Sequence, residues 1–142
     1  MAVLSLRKAR TIIRKTLEHG KEQGFRPLSV VVLDDGGNVK AFEREDDAAP
    51  GRFAIAHGKA FGCIMLGIPG SAQKARAEEQ AYFMQAVNGA YGGQVIPVPG
   101  GVLLRDKRGR IVGAIGVTGD TSENDAEAGM AGIEASGLIG EA

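Results

Sequence analysis

The 142-residue chain predicts an α+β fold in the order α-β-β-α-α-β-β-α, in which two hairpins form one antiparallel sheet with helices packed on it. Three observations carry this prediction. Two pairs of short apolar runs each flank a polar turn, and helical periodicity fills the segments before, between and after them. No linker or low-complexity segment divides the chain, so residues 1–142 are expected to form a single domain. Both apolar hairpins need the same kind of helical cover, which places them in one sheet.

Ser5 is a good N-cap for a first helix, in which Leu6, Ala9, Ile13 and Leu17, with Thr16 and Gly20, follow a helical period. Arg7, Lys8, Arg14, Lys15 and Glu18 lie off that stripe. Gly24 and Pro27 break the chain before the β-rich run Leu28–Leu33, which turns at Asp34-Asp35-Gly36-Gly37-Asn38 into Val39–Glu43. Pro50-Gly51 opens a helix through about Leu66, ended by Gly67-Ile68-Pro69-Gly70, and Ser71 is expected to cap another that continues or restarts toward Val87. Asn88–Gly93 closes the helical middle. The second hairpin joins the run within Pro97–Asp106 to that within Ile111–Asp120, and Thr121-Ser122-Glu123-Asn124-Asp125 places caps and acids at the start of a last helix reaching about Gly137. Both hairpins share one spacing, Asp34, Gly37, Val39 against Asp106, Gly109, Ile111, so they are structural counterparts or products of the same turn chemistry.

Composition narrows the function classes. Seventeen basic and seventeen acidic residues cancel, and no basic run appears, which argues against nucleic acid as a partner. A single cysteine, Cys63, excludes an internal disulfide framework and suits a reducing compartment. The segment Met1–Lys8 lacks the order of a signal peptide, and no apolar run is long enough to span a membrane, so a cytoplasmic protein without membrane partners is expected.

Glycines at 113, 116 and 119 exceed what a strand needs for packing and mark a close approach by another backbone or a ligand. Together with Pro99-Gly100-Gly101 and the acidic turn at Asp106, the run Gly113–Gly119 resembles the signature of the GlcG/HbpS family, which also supplies the C-terminal domain of PduO-type proteins. Val31–Val39, Phe42-Glu43-Arg44 and Gly58-Lys59-Ala60 stand in the order the family shows, and the resemblance runs over roughly residues 5–137. It implies a profilin-like or PAS-like layering, a haem- or tetrapyrrole-binding role and, because similar proteins assemble, a homo-oligomer.

The candidate site residues centre on the helix of Gly51–Leu66. At 100° per residue His57 falls on the stripe of Phe53, Ala60, Phe61 and Ile64, so it is expected to face inward and offer a neutral imidazole to haem iron. A satisfied core histidine is the other reading. His19 lies opposite its helix's apolar stripe and reads as a surface residue, or as a ligand at a subunit interface. Arg52 and Lys59 share a face with Cys63, where they are expected to hold a haem propionate or another carboxylate, or to form a solvated helix face. Gly116 and Thr118 are placed beside the ligand by the glycine-edged strand. Met65 and Met84 could donate sulfur to haem or fill the core. Asp120, Glu123, Asp125 and Glu127 fit the positive end of a helix dipole without a metal. Haem is therefore the expected cofactor, with His57 as its iron ligand. Two alternatives stay open: a small enzyme acting on an organic acid, held by Arg52 and Lys59, and a regulatory or oligomerisation module.

Overall fold

The computed structural model describes residues 4–142; Met1–Val3, part of the segment read for a signal peptide, lie outside the described residues. The elements in chain order are α1 (Leu6–Glu22), β1 (Ser29–Asp34), β2 (Val39–Arg44), α2 (Arg52–Leu66), α3 (Gly70–Glu79), α4 (Ala81–Ala90), β3 (Gly101–Arg105), β4 (Ile111–Thr118), α5 (Ser122–Ser136) and β5 (Ile139–Glu141). The strands form one sheet, ordered β2-β1-β4-β3-β5, and every pairing is antiparallel. The two hairpins meet through β1 and β4, with Ser29 opposite Thr118 and Asp34 opposite Gly113.

Three details depart from the sequence expectation. The middle carries three helices, because Gln80 leaves helical geometry at φ −138° and ψ 62° and divides α3 from α4. Ser71 is no cap: Pro69 occupies that position, and the Ser71 hydroxyl donates instead to the Ala142 carbonyl oxygen. A short fifth strand, β5, follows Gly137, whose left-handed conformation turns the chain back onto β3.

The hairpin turns are counterparts in detail. Asp34 accepts from the backbone N–H groups of Gly36 and Asn38, and Asp106 from those of Arg108 and Arg110, all at 2.9–3.0 Å. Gly37 and Gly109 take positive φ at matching positions. The connection order differs, since β1 is the inner strand of the first hairpin and β4, the second strand of its hairpin, is the inner strand of the other. Turn chemistry therefore accounts for the repeat.

Helices cover both faces of the sheet. On one side Ala9, Ile12 and Ile13 of α1 and Ala128 and Ile133 of α5 pack on Val30, Val32, Val102, Leu104, Ile115 and Val117. On the other side Ala56, Ala60 and Cys63 of α2 pack on Val31, Leu33, Leu103 and Ala114. Strand β4 is buried along almost its whole length, as a central strand covered on both faces must be.

Candidate functional site

Helix α2 is apolar over most of its circumference, so periodicity alone leaves its orientation open, and side-chain size decides it. Ala56, Ala60 and Cys63 are small, and the strands beneath them carry Gly116 and Gly101. A Cβ on Gly116 would overlap the Ala56 carbonyl oxygen and stand 2.8 Å from its carbon, and one on Gly101 would overlap the Lys59 carbonyl oxygen. These glycines admit the backbone of α2. The approach that the glycine-edged strand announced is thus made by a helix, and Gly116 has no room beside it for a ligand.

The same seating corrects the expectation for Lys59. Lys59 lies on the sheet-facing side, 3% exposed, where its Nζ donates to the Val117 carbonyl oxygen at 2.9 Å and to Asp125 Oδ2 at 3.1 Å. Asp125 is 1% exposed and also accepts from the Asp120 N–H. Burial pushes the Asp125 carboxyl above its ordinary range and the Lys59 ammonium below its own, and each partner's charge opposes that displacement. Lys59 thus ties α2 to α5 and presents no cation to solvent. Arg52, half-buried at the start of α2, donates to Thr118 Oγ1 at 2.9 Å.

His57 is half-buried on the outer side of α2 and does not point into the sheet core. It belongs to a run of rings. Phe42 meets Phe53 edge-on at 4.8 Å, Phe53 lies 5.7 Å from His57, and His57 stacks on Phe61 at 5.3 Å and 20°. Tyr91 closes the run, edge-on to Phe61 at 6.3 Å. A cleft of about 410 Å³ opens here, lined by Val39, Phe53, Ala54, His57, Gly93, Gln94 and Ile96. Neither ring nitrogen of His57 has a hydrogen-bond partner among the described residues, and desolvation lowers its pKa. The imidazole is therefore neutral at neutral pH, with a nitrogen lone pair available.

A groove of about 430 Å³ lies between α1 and the outer end of β2, lined by Leu17, Lys21, Phe25, Pro27 and Glu43–Asp46. Its Lys21 is already paired with Glu45 at 3.8 Å. With no metal-ligating imidazole or thiol in its lining, it offers less chemistry than the His57 cleft.

The remaining candidates are placed as follows. His19 pairs with Glu127 at 2.8 Å across α1 and α5. Cys63 is buried, and burial pushes its thiol up to about 12, which makes it a packing residue. Met84 is buried and Met65 lies over the Gly37 turn, away from the cleft lining. Asp120 caps the approach to α5, accepting from Arg26 N–H, Thr121 N–H and Asn124 Nδ2. Of the predicted site residues, the cleft brings together His57 and Phe53, while Arg52 with Thr118 and Lys59 with Gly116 lie on the sheet side of α2. Gln94 and Ile96 carry no sequence signal, because they reach the cleft from a connection with no periodicity; Phe61, expected inward, is half-buried, packs against the core between α2 and the sheet and stacks on His57.

Comparison with known proteins agrees with this architecture. The family model described as haem degrading protein HbpS-like matches residues 4–134. None of the curated proteins matches the chain. Among solved structures, a PduOC:haem complex aligns with a TM-score of 0.86 and 20% identity over 98% of this chain and 99% of that one. A double Glu-to-Asp mutant of Streptomyces reticuli HbpS aligns with a TM-score of 0.78 and 29% identity over 92% and 85%. The Klebsiella pneumoniae protein ORFY gives 0.81 and 23% over 94% and 90%.

Proposed function

The chain belongs to the HbpS-like family, and from that premise we propose that residues 1–142 form one haem-binding unit in which His57 ligates the iron. The observation that carries this is the unpartnered, neutral imidazole of His57 in an aromatic-walled cleft. Its donor set fits haem. A neutral imidazole is the common axial ligand, and Phe53, Val39 and Ile96 offer apolar surface to a flat macrocycle. Stacking on Phe61 holds the ring orientation that a hydrogen bond to the second nitrogen supplies elsewhere. Phe53, about 40% exposed, stays available for contact. Bound haem supplies an iron centre for ligand or oxygen chemistry; the protein's part is to hold it, turn one face toward His57 and keep water from that face.

Titration with ferric haem, followed through the Soret band, tests the reading. His57→Ala is expected to shift or abolish the band with the far-ultraviolet circular dichroism unchanged. An unchanged spectrum removes His57 as the ligand and turns attention to His19. The organic-acid alternative loses Lys59 from its clamp, because that ammonium is spent on Asp125.

The unit assembles as a homo-oligomer through α4. Ala81, Tyr82, Phe83, Ala86 and Ala90 are exposed on this helix, Tyr82 to 71%, and only Met84 is buried. Such an apolar surface is costly to leave in water. Light scattering is expected to show an oligomer at micromolar concentration, and Tyr82→Ser with Phe83→Ser to reduce it to monomer; a wild-type monomer refutes the assignment. The single, buried thiol of Cys63 supports a cytoplasmic setting. Among the described residues no single helix is long and apolar enough to cross a membrane.

A further inference from the structure

The sheet side of α2's N-terminal end holds a group of donors that the haem reading leaves unused. Ser29 on β1 stands opposite Thr118 on β4, so the two side chains share a face of the sheet, the one that carries Val31 and Leu33 toward α2. Arg52, the first residue of α2, lies over them and donates to Thr118 Oγ1 at 2.9 Å. Ser29 is fully buried, and its hydroxyl has no hydrogen-bond partner among the described residues. A buried orphan hydroxyl is costly unless something occupies it. Helix α2 has no side-chain cap, and among the described residues the N–H groups of Phe53 and Ala54 have no acceptor. Nor does any carboxylate lie within 4.0 Å of the Arg52 guanidinium among the described residues, although that group is half-buried.

We propose that this end of α2 binds a small carboxylate between the Arg52 guanidinium, the Ser29 and Thr118 hydroxyls and the free N–H groups of the first helical turn. A guanidinium fork matches the two coplanar oxygens of a carboxylate. The helix N-terminus adds partial positive charge on the same side. Thr118 accepts from Arg52 and keeps its own proton to donate, and Ser29 supplies a second hydroxyl proton, so the donors exceed what the protein's own acceptors use. Charge selects a monoanion, because one guanidinium neutralises one negative charge. The site needs no haem, so it stands or falls apart from the role of His57.

Titrating ¹⁵N-labelled protein with acetate tests the proposal, with chloride at matched ionic strength as the reference. Acetate is expected to give saturable shifts at the amides of Ser29, Phe53, Ala54 and Thr118, and chloride none. Arg52→Gln is expected to weaken acetate binding at least tenfold, and Ser29→Ala about threefold, with both spectra otherwise native. Acetate shifts no larger than those of chloride, or an affinity indifferent to both substitutions, overturn the site. Phosphate binding tighter than acetate overturns the carboxylate assignment. Repeating the titration on haem-loaded protein identifies the source. Acetate affinity that persists assigns the site to a free acid, and Arg52-dependent displacement of acetate by haem assigns it to a haem propionate.

Discussion

Replacing Gly116 by Ala tests whether the glycine-edged strand exists to admit a helix. The added Cβ would overlap the Ala56 carbonyl oxygen, stand 2.8 Å from that carbonyl's carbon and 3.1 Å from the Ala60 nitrogen. All three atoms are backbone, so no side-chain rotation relieves the clash. The carbonyl carbon alone sits about 0.6 Å inside ordinary contact at 3.4 Å, and the oxygen is deeper still. Helix α2 must therefore lift by the order of an ångström from Val31, Leu33, Leu103 and Ala114. A gap of about 0.5–1 Å forfeits a quarter to a half of each contact's dispersion energy. Overpacking of a rigid core costs about 1–3 kcal/mol, and a clash against three backbone atoms of α2 belongs at or above the upper end, about 3 kcal/mol. Urea unfolding measures it. Gly51→Ala is the control, because nothing lies within 4 Å of its Cβ and its φ is −79°; it is expected to leave the midpoint unchanged. A Gly116→Ala variant within about 1 kcal/mol of wild type would show that the strand's glycines do not serve the helix.

Two further outcomes follow from the charges around α5. Lys59→Met strands the Asp125 carboxylate at 1% exposure and is expected to cost about 3–5 kcal/mol; Lys59→Met with Asp125→Leu should recover most of it, and a single substitution that leaves the thermal midpoint in place defeats the assignment. Asp120 accepts four hydrogen bonds, the backbone N–H of Arg26 foremost, which hold its carboxyl well below the usual carboxylate range. A depressed folded value stabilises the protein above the unfolded value of about 3.9, and that contribution is lost as pH falls further toward the folded value. The stability gap between wild type and Asp120→Asn, followed by urea unfolding, should therefore be constant from pH 7 to 5 and close below pH 4. A gap that widens on acidification reverses the sign and the reasoning.

Local chemistry made much of the fold legible. Ser5 accepts from the Lys8 N–H and Thr121 from the Asn124 N–H, as capping residues at those positions should. The Asp-x-x-Gly turns close both hairpins through bonds confined to five residues. Short β-rich runs with one such turn between them can pair only as antiparallel neighbours. What extends over one or two turns of chain is written in the chain itself. The strand β5 escaped notice because three residues carry no period, and its existence depends on the edge that β3 leaves open.

The site was legible in its residues and not in its orientation. Large side chains at Phe53, His57, Phe61 and Ile64 and small ones at Ala56, Ala60 and Cys63 define two stripes on α2, and a stripe rule that ranks by hydrophobicity sends the aromatic one inward. Packing ranks by fit. The glycines of β3 and β4 create a floor so close to α2 that only small side chains and Lys59 occupy the space; Phe61 and Ile64 pack half-buried against the same core, and Phe53 and His57 are left to line a cleft with Gly93, Gln94 and Ile96. By itself the sequence determined the α+β class, the turns, the caps and which residues bear chemistry, because each rests on local geometry. Only the tertiary structure decided that His57 opens to a cleft while Lys59 is sealed against Asp125, because that choice depends on the distance between two elements whose residues lie more than forty positions apart.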